Sequence, residues 1–299
     1  MYKTKNSVMR VYQRDNFSRA FRASLVDLIR YPEFETKPRD LSIKENANTV
    51  LIIEEPLSCL FTTPTRSSQK KYIAAELMWY FMGRNDAEFI TKYAKFWDTI
   101  KNPDGTVNSS YGKLLFSNLN EHGITQYEWA ISALVKDRDS RQAVMHFNLP
   151  RHQYHFNKDF VCTMYGNFQI RDNKLNFTIS MRSNDVIWGL PTDIAFFAIL
   201  QSQALSHLRK YYPDLDLGTY THIANSFHVY EHHFDAVNAM IDSLEWKSET
   251  IPPVGADLIN PVGEPTPELI SFFSDFANPD PKLLEDPLFS WIYRNINKI

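Results

Sequence analysis

Only two of the 299 residues are cysteines, Cys59 and Cys162, too few for the disulfide framework on which small secreted folds depend. No apolar run approaches the roughly 18 residues of a membrane span. The opening MYKTKNSVMR has no apolar core of a secretory signal. A cytoplasmic chain with free thiols is the expectation. Net charge is −3, so no broad basic field argues for long nucleic acid; a small anion would need only a local arginine cluster. Gly83-Arg84-Asn85-Asp86 lacks the further glycines of a phosphate loop. His228, His232 and His233 have no cysteine or carboxylate spacing beside them that supports a metal site, so no metal is expected. Against these absences stand 21 Phe, 15 Tyr and 6 Trp, enough aromatic side chains for a sizeable core.

Apolar periodicity predicts helices over 16–30, 69–82, 87–96, 126–136, 191–208 and 234–244. Ser67 or Ser68 is expected to cap the second of these. Strands are expected over 49–54, 142–147, 160–170, 175–182, 217–223 and 226–230, with Asp172-Asn173 turning a hairpin. The last fifty or so residues, rich in Pro, Asp and Glu, read as loops with one or two short helices. No repeat or linker divides the chain, so one α+β domain over 1–299 is expected, with its C-terminal region from about 246 set apart in composition.

Several residues attract attention, each with a plainer alternative. Cys162 by residue type alone is more readily a small buried hydrophobe than a nucleophile. Arg39, Arg141 and Arg182 lie in or beside predicted turns; each alone is a solvated arginine, but together with Ser183 they would bind phosphate. Glu76 interrupts Tyr72-Ile73-Ala74-Ala75-Glu76-Leu77-Met78-Trp79-Tyr80. It is either one member of a narrow polar stripe with Gln69 and Lys70, or a buried general acid/base with a raised pKa. Asp193, after Pro191-Thr192, is either a group favouring a helix N-terminus or part of a site.

Read together and in order, these pieces resemble the thymidylate synthase family. The resemblance rests on Glu76-Leu-Met-Trp-Tyr-Phe-Met-Gly83, Phe96-Trp-Asp98, Tyr111-Gly112, Asp139-Ser-Arg141, Cys162, Arg182-Ser-Asn-Asp185, Gly189-Leu-Pro191 and His228-Val-Tyr230. It implies an α+β fold with a large twisted mixed β-sheet, covered by helices, at a homodimer interface. It also implies methylenetetrahydrofolate as co-substrate. Cys162 would attack C6 of a pyrimidine nucleoside monophosphate, and Glu76 would organise water and relay protons. Arg39, Arg182 and Ser183 would hold the 5′-phosphate, with Arg141 reaching it from the partner subunit. His228 and Tyr230 would bond the sugar 3′-hydroxyl. Trp97, Asp185 and Glu76 would lie beside the folate, and Tyr111 would belong to the active-site network.

The departures from the family pattern carry the substrate expectation. Asp193 stands where thymidylate synthases have an asparagine that reads uracil, and is similar to the aspartate of the phage deoxycytidylate hydroxymethylase branch. A carboxylate accepts from the cytosine amino group and, when protonated, donates to N3. Thr163 replaces a usual histidine, Asn167 a glutamine among the nucleotide contacts, and Gln142 a second arginine. The tail Asn295-Ile-Asn-Lys-Ile299 keeps only the terminal isoleucine of the synthase closure. A different closure would admit water and give a hydroxymethyl product. The expectation is therefore dCMP hydroxymethylation, in a host cytoplasm if the source is viral. The alternatives are a dCMP methyltransferase, a CMP hydroxymethylase, a divergent thymidylate synthase, or an inactive nucleotide-binding homologue.

Overall fold

Phe17, Phe21, Leu25 and Leu28 recur at four- and three-residue spacing, so a helix gathers them on one stripe. In the computed structural model, which describes residues 9–297, all four are fully buried. That helix begins where Asn16 accepts a hydrogen bond from Arg19 N at 3.1 Å, an N-cap that satisfies one orphan donor. The elements in order are β1 (Arg10–Arg14), α1 (Phe17–Arg30), β2 (Phe34–Thr36), β3 (Ile43–Ile53), β4 (Leu60–Thr62), α2 (Lys70–Phe81), α3 (Ala87–Ile90), α4 (Phe96–Ile100), α5 (Gln126–Lys136) and β5 (Val144–His146). There follow β6 (Thr163–Arg171), β7 (Lys174–Met181), β8 (Asn184–Asp185), α6 (Leu190–Arg209), β9 (Asp216–Tyr230), α7 (Phe234–Asp242), β10 (Lys247–Glu249), α8 (Pro267–Ser274) and α9 (Pro287–Asn297).

The strand order β1-β3-β9-β7-β6-β5, with β2 joined to β3 and β8 to β9, makes an eight-stranded mixed sheet; β4 and β10 form a separate pair. This is an α+β fold. The chain packs as two compact units. One holds the segments up to Ser68, Phe177–Ala198 and Gly218–Ile251; the other holds Gln69–Asn176, Ile199–Leu217 and Pro252 onward.

In the first unit β3 is the spine. β1 runs parallel to it, β2 antiparallel, and β9 antiparallel from Ile43 opposite Tyr230 to Ile53 opposite Tyr220. β8 lies parallel to β9, which sets Asn184 opposite Phe227 and Asp185 opposite His228. An aromatic cluster of Phe17, Phe21, Phe61 and Trp246 seals α1 against the β4–β10 pair. In the second unit α2 is wrapped in apolar contacts, and α9 packs along it. Gly112 admits this packing elsewhere on α2: a Cβ there would lie 1.8 Å from the Tyr80 carbonyl oxygen.

Several expected boundaries move. The two strands expected over 217–230 are one, β9. The break suggested at Asn225 is absorbed opposite, where Asn48 takes a left-handed φ of 48° and accepts from Asn225 Nδ2 at 2.9 Å. β3 starts six residues before its apolar run, because β2 and β9 pair its polar end. The helix expected over 87–96 is two short ones. No serine side chain caps α2; Ser68 Oγ instead accepts from Phe61 N at 3.0 Å. The hairpin turn forms as expected, with Asp172 and Asn173 both at positive φ (49° and 58°), the conformation a two-residue turn of this kind requires. β1 and α9 carried no firm expectation. Ile299, the one tail residue retained from the synthase pattern, lies outside the described residues.

Candidate active site

The second unit carries the thiol. Cys162 is partly exposed and lies immediately before β6, with its Sγ 3.9 Å from the Phe160 carbonyl oxygen. The approach to it is anchored by Asp159, itself buried, whose carboxylate accepts from Asn108 N (2.6 Å), Ser109 N (2.9 Å) and Ser109 Oγ (2.5 Å). Asn148 Nδ2 holds the Val161 carbonyl at 2.7 Å. The next residue, Thr163, donates to the hydroxyl of Tyr111 at 2.8 Å. Tyr111 is buried, stacked on Tyr80 with ring centroids 5.2 Å apart. The chain before and after the thiol is thus tied to residues 108–111 and to Asn148.

Glu76 is buried, at 5% exposure, while Gln69 is exposed and Lys70 half-buried. The polar-stripe alternative therefore does not describe it. One turn earlier on α2, the Tyr72 hydroxyl donates to Glu76 Oε1 at 2.5 Å and accepts from Trp97 Nε1 at 2.9 Å. Trp97 is buried beside Trp79. The carboxylate is held in a Trp97–Tyr72–Glu76 line, in which Tyr72 is a residue the sequence did not single out. Asn167, on β6 opposite Val144, has a buried Oδ1 with no partner, an acceptor suited to a ligand donor. Arg141 is exposed in the turn before β5, and Gln142 beside it is also exposed.

The first unit carries the other candidates. Arg39 is exposed in a short turn where it and Asp40 both take left-handed backbone angles (φ 54° and 62°), a costly conformation for residues with a Cβ. Its guanidinium lies 3.5 Å from the Tyr230 hydroxyl. His228 is buried and its ring meets Tyr230 edge-on at 5.2 Å. Arg182 and Ser183, half-buried, lead into β8. Asp185 uses Oδ1 to accept from Ile187 N (2.6 Å) and Trp188 N (2.8 Å), while Oδ2 is a buried acceptor with no partner. Arg66 bonds the Ile187 carbonyl at 3.0 Å; burial lowers its pKa, against the opposing pull of Asp185. Asp193 lies in the first turn of α6, where negative charge suits the helix. Its Oδ2, however, accepts from Asn184 Nδ2 at 2.8 Å, so it is tied to β8 and is more than a helix-end charge.

Burial separates the two thiols. Cys59 is fully buried and its pKa is pushed up to about 12, which holds it as an unreactive thiol. Among the described residues no three metal-ligating side chains gather, and no helix is long and apolar enough to cross a membrane.

Comparison with known proteins shows the family. The thymidylate synthase family model matches residues 53–252. The chain belongs to the thymidylate synthase family, a family of pyrimidine nucleotide one-carbon transferases that use methylenetetrahydrofolate as co-substrate. Among its relatives, the deoxycytidylate 5-hydroxymethyltransferase of Enterobacteria phage T6 is 32% identical over 178 residues, covering 56% of this chain and 70% of that protein. The deoxyuridylate hydroxymethyltransferase of Pseudomonas phage M6 is 26% identical, over 94% of this chain and 81% of that one. In fold, the chain is similar to thermostable thymidylate synthase A from Bacillus subtilis, with a TM-score of 0.63 at 20% identity over 77% of this chain and 86% of that one.

Proposed function

We propose that the protein is a deoxycytidylate 5-hydroxymethyltransferase, acting as a homodimer whose two units per chain work as one thymidylate synthase-like domain. The observation that carries the substrate is Asp193, a carboxylate held at Oδ2 by an amide donor. An acidic group at this position favours a base that offers an amino donor. Cytosine does so at N4, whereas uracil offers O4, an acceptor that would face the carboxylate unpaired. A proton shared between cytosine N3 and Asp193 completes the pairing.

Folate supplies the one-carbon unit. The residues present fit it: Asp185 Oδ2 is a buried, unfilled acceptor for a heterocycle N–H, and the exposed Trp188 ring lies beside it in sequence. Trp97, Asp185 and Glu76 would hold it. The chain's own residues do the rest. Cys162 adds to C6 of the pyrimidine, which makes C5 nucleophilic. Arg39, Arg182 and Ser183 hold the phosphate, with Arg141 contributed by the second subunit, while His228 and Tyr230 take the 3′-hydroxyl and Asn167 offers an acceptor to the nucleotide. Glu76, fixed by Tyr72, orders water and moves protons, with Tyr111 in the same network. C5 takes the one-carbon unit with release of tetrahydrofolate, water supplies the hydroxyl of the product, the C5 proton is lost, and the thiolate leaves C6.

The relative that matches along 94% of this chain is named for deoxyuridylate. That favours a second reading, hydroxymethylation of dUMP, and makes Asp193 the residue that decides. Replacing Asp193 with Asn is expected to move kcat/KM from dCMP toward dUMP by about a hundredfold or more. An unchanged preference would mean that Asp193 does not read the base.

A further inference from the structure

Half-buried Asp193 is bonded to a line of buried side chains that starts on β9. Tyr220 and His222, two residues apart and so on one face of the strand, are both fully buried. The Tyr220 hydroxyl lies 2.9 Å from His222 Nδ1, His222 Nε2 lies 3.1 Å from Asn184 Oδ1, and Asn184 Nδ2 lies 2.8 Å from Asp193 Oδ2. Each link fixes the next. A carboxylate only accepts, so Asn184 turns its NH2 toward Asp193 and its carbonyl toward His222. That carbonyl needs a donor, so the imidazole proton sits on Nε2. Nδ1 is then bare and accepts from Tyr220. The imidazole is neutral, because burial lowers its pKa to about 3. The site is also closed by shape: a Cβ on Gly189 would lie 3.0 Å from Asn184 Nδ2 and 3.3 Å from Asp193 Oδ2.

We propose that Tyr220, His222 and Asn184 are positioning residues that set the base preference of the enzyme by holding Asp193 in one orientation with Oδ2 occupied by an amide proton. This rests on the reading that Asp193 faces the pyrimidine. It also explains why a single change at Asp193 should act cleanly. When Asp193 becomes Asn, the fixed Asn184 donor draws the new carbonyl oxygen toward itself and turns the new NH2 toward the base, where it suits O4 of uracil. Without His222, Asn184 is released to rotate and that order is lost.

The test compares His222→Leu, His222→Gln and Tyr220→Phe in the full-length protein, with dCMP and dUMP as alternative substrates. The expected result for His222→Leu is a fall of about tenfold in the ratio of kcat/KM for dCMP over dUMP, the scale of one lost buried hydrogen bond. His222→Gln, which retains a donor for Asn184, is expected to recover most of the ratio, and Tyr220→Phe to lose part of it. An unchanged ratio in a folded His222→Leu protein overturns the proposal. Nitrogen NMR of the wild-type protein gives an independent reading: a neutral His222 protonated on Nε2 from pH 5 to 8 is expected, and protonation on Nδ1 would overturn the line of bonds. That spectrum needs no substrate, so it fails separately from the dCMP reading. A wild-type enzyme acting only on dUMP would sink the dCMP reading, while the nitrogen spectrum of His222 would still judge the line.

Discussion

Cys59 and Cys162 carry the same thiol into opposite surroundings. Cys59 is sealed and its pKa is raised to about 12, while Cys162 is partly exposed. A thiol reagent at pH 8 is therefore expected to modify one cysteine per chain, identified as Cys162 by peptide mass, with loss of transferase activity. Modification of Cys59 in the folded protein would contradict this. Glu76 was legible as a carboxylate in an apolar run, because burying a charge among aromatics is expensive and so draws notice. Tyr72 was not, since a tyrosine in an aromatic-rich helix looks like core; only the 2.5 Å bond to Glu76 assigns it a task. Asn184, His222 and Tyr220 were hidden for another reason. Their partners are up to 38 residues apart, and no local pattern reports a contact between strands. The one available signal was the alternation Thr219-Tyr220-Thr221-His222, which matches the period-two burial of β9 that puts Tyr220 and His222 on the inward face.

Among the elements, helices announced themselves by stripe and strands by β-branched runs, but ends were poorly marked. β3 is longer than its apolar core because its neighbours, not its own composition, pair its polar end. The family match ends at residue 252, yet the residues beyond it still build structure. Asp286 accepts from Ala256 N, Leu288 N and Phe289 N at 2.8, 2.8 and 3.0 Å, tying the start of α9 to the 255–256 turn. α9 then lays Leu288, Phe289 and Ile292 into the core beside α2. Phe289, fully buried against Phe272 at 5.0 Å, is expected to cost about 3–5 kcal/mol when replaced by Ala, measured by denaturant unfolding. A loss below about 1 kcal/mol, the scale of a surface change, would show that α9 adds little to the unit.

At the level of the whole molecule, the polar groups built into the interior make stability sensitive to acid. His222 has a folded pKa of about 3 against an ordinary 6.5. Below pH 6.5 the unfolded chain takes up a proton that the folded chain refuses, so stability is full above 6.5 and falls toward pH 3. The slope is about 1.4 kcal/mol per pH unit, or about 3 kcal/mol by pH 4. Burial works to raise the Asp257 pKa, but hydrogen bonds from His207, Ser206 and Lys210 hold it well below the carboxylate range. Its contribution is present above the ordinary carboxylate pKa and is lost as pH falls below it. The expected outcome is a melting temperature that is level above pH 6.5 and drops steadily from there to pH 4, with a shallower drop in His222→Gln. Parallel slopes for the two proteins would remove His222 from the account.

The substrate claim is tested most directly by incubating the purified protein with methylenetetrahydrofolate and equal dCMP and dUMP, then weighing the nucleotide products. The account predicts that dCMP gains the mass of a hydroxymethyl group and that dUMP is left largely unchanged. A product formed from dUMP alone would contradict it.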